Sequence, residues 1–97
     1  GVMTLHTQGE EIFAPPCKDQ RSGFVTAQRL SKLTGYKLSR AEGLAAYGGL
    51  SDWCAEKMSV PAFTMECGRG KNPLPLSQIS SIYATMRPAL FLFPTIL

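Results

Sequence analysis

Glu66 lies where a strand pattern ends, and this position suggests acid–base chemistry. It closes a five-residue apolar segment and is followed by the glycine-punctuated basic loop "CGRGKN". Because side chains alternate along a strand, Ala62, Thr64 and Glu66 are predicted to share one face. Catalytic groups gather at the carboxyl ends of α/β strands, and a carboxylate there can act as a general base. The alternative is a purely structural carboxylate that pairs with Arg69 or Lys71.

The single histidine, His6, also follows a short apolar segment, Val2–Leu5, which is predicted to be a strand. An imidazole at a strand end can bind a metal ion. A catalytic zinc site, however, needs three protein ligands and a water molecule, and neither H-x-x-E nor H-E-x-x-H occurs in this sequence. A lone histidine is more often a hydrogen-bonded strand-end residue than a ligand.

Composition indicates a single globular domain in a reducing environment. The chain has 97 residues, of which 44% are hydrophobic and 18% charged, and its net charge of +3 is too mild to indicate a nucleic-acid site. Cys17, Cys54 and Cys67 are odd in number and irregularly spaced, which argues against a disulfide framework and against a Cys₃His zinc site. No signal peptide is visible at the N-terminus.

Hydrophobic periodicity predicts the order strand, helix, strand, helix, which is typical of an α/β layer. The first helix is predicted over Ser22–Thr34, ended by Gly35, with an apolar stripe of Phe24, Ala27, Leu30 and Leu33. Next come a short helix over Trp53–Met58, capped by Ser51, and the central strand Ala62–Glu66. A last helix is capped by Ser77, with the stripe Ile79, Ile82, Tyr83 and Met86.

Four further segments lack a clear period. "QGEEIFAPPCKD" and "KLSRAEGLAAYGGL" are predicted to be loops, because proline or glycine interrupts them. "GRGKN" could cradle an anion, although it matches no phosphate-binding motif. The apolar tail "PALFLFPTIL", bounded by Pro88 and Pro94, is predicted to be either a helix packed on other structure or an exposed partner-binding patch.

Four segments in this order, "LHTQGEEIF", "TGYKLS", "YGGLSDW" and "FTMECGRGKNPLP", resemble the C-terminal half of zinc metallocarboxypeptidases of the carboxypeptidase A type. The bacterial γ-D-glutamyl-meso-diaminopimelate peptidases, which cut peptidoglycan peptides, are the most similar branch. The resemblance implies an α/β fold in which helices pack on the C-terminal portion of a mostly parallel sheet. It also implies zinc as cofactor, a cell-wall peptide as substrate and a bacterial source. Because no export signal is visible, a cytoplasmic location is expected.

The resemblance implies roles for four residues. His6 would be a zinc ligand, and Glu66 would be the general base that deprotonates the attacking water and later protonates the leaving amine. Arg69 would meet a substrate carboxylate. The family's active-site tyrosine precedes the Gly-Gly pair by four residues, where Leu44 stands here, so Tyr47 is the candidate substitute.

The family's H-x-x-E ligands and its substrate-binding arginine do not occur in this sequence. Residues 1–97 are therefore expected to form the C-terminal part of a catalytic domain, inactive and with little zinc when alone. Such a half-domain would need a partner chain or the missing N-terminal half, and it could self-associate through an exposed sheet edge or the apolar tail. The alternatives are a non-catalytic interaction module and an unrelated small α/β fold that matches by chance.

Overall fold

The computed structural model describes residues 1–16, 20–40 and 48–97, which form a mixed four-stranded sheet packed with helices. The strands are β1 (Val2–His6), β2 (Glu11–Phe13), β3 (Lys37–Ser39) and β4 (Ala62–Glu66), in the order β1-β4-β2-β3. β1 runs parallel to β4 and β2 runs parallel to β3, whereas β2 is antiparallel to β4. The α/β class is confirmed, but this small mixed sheet does not show the carboxypeptidase-like arrangement that the resemblance implies.

Three helices accompany the sheet in the described residues. They are α1 (Gln20–Thr34), α2 (Leu50–Trp53), which continues as a π-helical turn over Cys54–Met58, and α3 (Ile79–Ile96), which follows a 3₁₀ turn over Leu76–Gln78. As predicted, α1 ends before Gly35, which adopts a φ of 76° and donates its N–H to the carbonyl of Ser31 over 2.8 Å. A left-handed φ favours glycine, because other residues pay a steric cost there.

α1 and α3 bury the apolar face of the sheet. Ile12, Leu30, Phe63 and Met65 are each 0% or nearly 0% exposed and share one cluster with residues of both helices. Burying a side chain of this size contributes about 1.5–3 kcal/mol, and this layer holds the larger of the two hydrophobic clusters in the described residues. The ring of Phe63 meets that of Phe93 edge to face at a centroid distance of 5.9 Å.

The opposite face of the sheet is only partly covered. The π-helical turn packs Cys54 and Ala55 on Ala62 and Val2, at the amino ends of β4 and β1. Toward the carboxyl ends of the same strands the face stays more open and carries polar side chains. We call this uncovered portion the site face.

Two strands were not predicted. β2 and β3 lie in the segments predicted to be loops, yet Ile12 of β2 is completely buried between β4 and β3. Three-residue strands are too short to show an alternating pattern, and each carries a charged first residue, Glu11 or Lys37. Their strand state follows from pairing with neighbours rather than from local preference.

Several helix details also differ from the predictions. Ser51 is not an N-cap: it lies inside α2 and is buried, while Gly49 takes the cap position. Ser77 lies in the 3₁₀ turn, and Gln78 occupies the N-cap position of α3 without a side-chain capping hydrogen bond. Phe24 was expected on the buried stripe of α1 but is 59% exposed, because Thr26 is buried instead and its hydroxyl donates to the carbonyl of Ile96 over 3.0 Å.

The apolar tail belongs to α3, which runs through both prolines. Pro88 and Pro94 each remove one backbone hydrogen bond, but the carbonyls four residues earlier belong to exposed positions, where water can replace the lost donor. Phe93 and Ile96 pack on the core, so part of the tail is buried within the chain itself. None of the described helices combines the length and apolar character needed to cross a membrane.

Candidate functional site

The pairing of β1 with β4 brings the two main candidates together. His6 is the register partner of Glu66, and both are the last residues of their parallel strands. Directly paired residues project to the same face of a sheet, so the imidazole and the carboxyl group stand side by side on the site face. The histidine is exposed and the glutamate half-buried. This geometry allows both side chains to reach one small molecule.

A row of hydroxyl groups leads along the site face toward this pair. Thr4 and Thr64 are register partners two residues before His6 and Glu66, and their hydroxyl oxygens are 3.0 Å apart. The hydroxyl of Ser51 lies 2.7 Å from that of Thr64. Thr4 donates to the carbonyl of Phe63 over 3.4 Å. The row joins α2 to both strands.

This row of hydroxyl groups was not predicted, although the sequence carries one signal for it. "TLH" and "TME" place a threonine at the same distance before each candidate residue. Two threonines at matching places on paired strands meet as cross-strand neighbours, where hydroxyl pairs stabilise a sheet. The third hydroxyl, that of Ser51, had been assigned to a helix cap and could not be placed from sequence.

The loops that follow β1 and β4 are bonded to each other. Cys67 donates its N–H to the carbonyl of His6, and Gly9 donates to that of Gly68, both over 2.8 Å. The hydroxyl of Thr7 donates to Oδ1 of Asn72 over 2.7 Å, and Nδ2 of Asn72 donates back to the carbonyl of Thr7 over 3.0 Å. The two strand ends therefore continue as one bonded unit.

The alternative role for Glu66, a structural ion pair with Arg69 or Lys71, is not what the described residues show. The guanidinium of Arg69 lies 2.8 Å from Glu10 rather than on Glu66. Among the described residues, no Lys or Arg lies within ion-pair distance of Glu66, and Lys71 is exposed. Glu11, the partner of Glu66 in the antiparallel pair, accepts a hydrogen bond from Ser39 over 3.0 Å. Substrate binding by Arg69 stays a prediction.

Behind the site face, Tyr36 and Cys67 form a buried pair of weak acids. Burial raises the pKa of Tyr36 to about 12, and the neighbouring Cys67 adds to the rise. Burial likewise raises the pKa of the Cys67 thiol. Both groups are therefore neutral at physiological pH, and the thiol is not poised as a nucleophile.

Metal ligands are sparse in the described part of the chain. Residues 1–16, 20–40 and 48–97 contain no group of three or more His, Cys, Asp or Glu side chains that could hold a metal ion. His6 offers one imidazole at the site face. Tyr47 and Leu44, the positions compared with the family's active-site tyrosine, lie outside the described residues, so Tyr47 as a substrate-binding residue stays a prediction.

No family model matches the chain. Two known proteins are similar to it in sequence. An uncharacterized protein of Bacillus subtilis (strain 168), YqgT, is 31% identical over 83 residues, covering 84% of this chain and 22% of the relative. A protein of Lysinibacillus sphaericus named gamma-D-glutamyl-L-diamino acid endopeptidase 1 is 32% identical over 87 residues, covering 84% of this chain and 20% of the relative.

This chain spans about a fifth of the length of these curated relatives. It is thus similar, over most of its own length, to part of a protein named gamma-D-glutamyl-L-diamino acid endopeptidase 1. That relative is named as an endopeptidase, not as a carboxypeptidase.

Proposed function

We propose that these residues form the general-base side of a zinc-dependent peptidase site that hydrolyses γ-D-glutamyl-diamino acid bonds in peptidoglycan-type peptides. Glu66 is the general base, and His6 contributes one zinc ligand. The observation that carries the proposal is the register pairing of these two residues at the ends of neighbouring parallel strands. The name of the Lysinibacillus sphaericus relative supports the substrate class.

The described residues do not make a complete zinc site. They supply one imidazole, whereas a catalytic zinc ion takes three protein ligands and leaves one position open. The proposal therefore assigns the other ligands to residues outside those described, from the same polypeptide or a partner. Bound zinc would supply Lewis acidity toward the scissile carbonyl and toward water.

Glu66 can perform two proton transfers from its place on the strand. Its carboxylate takes a proton from the water molecule that attacks the scissile carbonyl, and it then gives that proton to the leaving amine. Half-burial beside the exposed His6 keeps the carboxylate accessible to a water molecule. No described lysine or arginine is close enough to hold it as an ion pair.

The proposal is tested by complementation. The chain is co-expressed with the portion of the Lysinibacillus sphaericus relative that lies outside the matched region, and release of meso-diaminopimelate from its γ-D-glutamyl peptide is followed. The complex is expected to be active and to lose about 10²–10⁴-fold in kcat with Glu66→Gln. The matched control Glu56→Gln, at an exposed residue of the π-helical turn, should keep full activity. Activity that survives Glu66→Gln would contradict the catalytic role.

The second candidate is a non-catalytic interaction module, and an exposed apolar surface favours it. α3 and the turn before it expose several large side chains: Leu76 (82%), Ile79 (58%), Tyr83 (55%) and Phe91 (68%). Contiguous exposed apolar patches are typical of association surfaces, and these side chains lie along one segment of the chain, the 3₁₀ turn and α3. If the chain self-associates through this surface, analytical ultracentrifugation should show a dimer, and Phe91→Glu should convert it to a monomer. A wild-type protein that stays monomeric over a 100-fold range of protein concentration would exclude self-association.

A further inference from the structure

The loop Cys67–Asn72 follows β4 and contains the "GRGKN" segment, for which an anion cradle is one prediction; its contacts join it to protein on both sides. On one side, the side-chain amide of Gln78 accepts from the backbone N–H of Arg69 over 3.1 Å and donates to its carbonyl over 2.8 Å. Gly68, with a φ of 74°, lies so close to Leu74, Gln78 and Ile82 that a Cβ there would meet them at 2.6–3.0 Å. The loop is thus fixed to the start of α3.

On its other side, the same loop contacts Thr7 and Glu10, which follow His6 in the chain. The side-chain amide of Asn72 both accepts from and donates to Thr7, the residue directly after His6. The guanidinium of Arg69 pairs with Glu10 three residues further on. In the described residues β1 is an edge strand with β4 as its one neighbour. These side-chain contacts therefore add to the backbone bonds from Cys67 to His6 and from Gly9 to Gly68 in holding the end of β1 in place.

We propose that the loop Cys67–Asn72 is a positioning clamp, in which Asn72 holds His6 in register with Glu66. This rests on the proposed function, which requires the two side chains to reach one position. Thr7, Asn72 and Arg69 are exposed and Glu10 is half-buried, so these contacts are expected to add little to stability. Their effect is to restrict the motion of a strand end that carries a functional residue, as outer-shell partners orient a metal ligand.

Alignment of the two strand ends can be measured without catalysis. Glu66→His places a second imidazole opposite His6, and two aligned imidazoles chelate Ni²⁺. The Ni²⁺ affinity of this variant, measured by calorimetry, is expected to exceed that of Glu66→Gln about 100-fold, because the second ligand binds intramolecularly. The Glu66→Gln background also subtracts any binding by cysteines.

Adding Asn72→Ala to Glu66→His is expected to weaken Ni²⁺ binding about tenfold. Thr95→Ala, which removes an exposed hydroxyl that bonds only to Leu92 within α3, should leave the affinity unchanged. Thr7→Val should act like Asn72→Ala, and Thr7→Ser, which keeps the hydroxyl, should restore the affinity. This rescue separates positioning from a general loss of structure, and it provides a second readout if Asn72→Ala fails to fold.

The outcomes separate the clamp from the function on which it rests. If Glu66→His binds Ni²⁺ no better than Glu66→Gln, the two side chains do not face one position and the proposed function falls with the clamp. If Glu66→His chelates Ni²⁺ but neither Asn72→Ala nor Thr7→Val weakens binding, the clamp alone is overturned.

Discussion

The two faces of β4 differ in composition although they belong to one five-residue strand. Phe63 and Met65 point into the layer of α1 and α3 and are 0% exposed. Thr64 and Glu66 point to the site face, where they are half-buried and meet hydroxyl groups and an imidazole instead. Within this one strand, Phe63 and Met65 contribute to the core, whereas Thr64 and Glu66 belong to the candidate site. Substitutions can therefore be made in one set without altering the other.

The largest expected effect lies on the buried face. Phe63→Ala should lower the free energy of unfolding by about 3–5 kcal/mol, because it removes a completely buried ring and leaves a cavity beside Phe93. Urea denaturation followed by circular dichroism measures this change. A loss below about 1 kcal/mol would show that the α1–α3 layer does not pack on β4 as described.

Alkaline pH should also weaken the buried face. Because the pKa of Tyr36 is raised to about 12 in the folded state, the unfolded state loses this proton at lower pH. Stability is therefore fully present below about pH 10 and falls as pH rises toward 12, by on the order of 2 kcal/mol. The raised pKa of Cys67 adds a fall of the same sign beginning near pH 9. Tyr36→Phe should flatten the decline between pH 10 and 12; an unchanged slope would contradict this cause.

A smaller effect is expected where the site face joins α2. Thr64→Val keeps the shape of the side chain but removes the hydroxyl that bonds Ser51 and Thr4, which leaves the buried Ser51 without this partner. The expected cost is about 1–2 kcal/mol of unfolding free energy by urea denaturation. Thr64→Ser should recover most of it. Equal stability of the valine and serine variants would mean that the hydroxyl row is not a stabilising feature.

The smallest effect on stability should come from the residue with the largest effect on chemistry. Glu66→Gln preserves size and removes only a charge that has no described ion-pair partner, so unfolding free energy should change by less than about 0.5 kcal/mol. Thermal unfolding of the two proteins in parallel measures it. A loss above 2 kcal/mol would assign Glu66 a structural role and remove the contrast between the two faces.

Elements with strong local sequence signals were predicted correctly, and elements that depend on distant neighbours were not. The bounds of β4 and the end of α1 were predicted correctly because a short apolar segment and Gly35 leave strong local signals. β2 was missed because a three-residue strand owes its state to its neighbours. Pro88 and Pro94 were expected to bound the tail, and α3 passes through them because the carbonyls they leave unpaired are at exposed positions.

The candidate site was only partly predictable. Positions at strand ends pointed to His6 and Glu66, but their pairing depends on which strands are neighbours, and that information is non-local. Asn72 is 65 residues from Thr7 in sequence, so no local pattern could indicate their double hydrogen bond. The ion pair of Arg69 with Glu10 was hidden for the same reason.

The most direct test is whether the His6 ring lies beside the Glu66 carboxyl group in solution. We expect nuclear Overhauser cross-peaks between the ring protons of His6 and the γ-protons of Glu66, because paired residues on one face bring their side chains within about 5 Å. Cross-peaks from the His6 ring to Phe93 or Ile82, which pack on the opposite face, would place the imidazole on the core side. That result would contradict a shared site for the two residues.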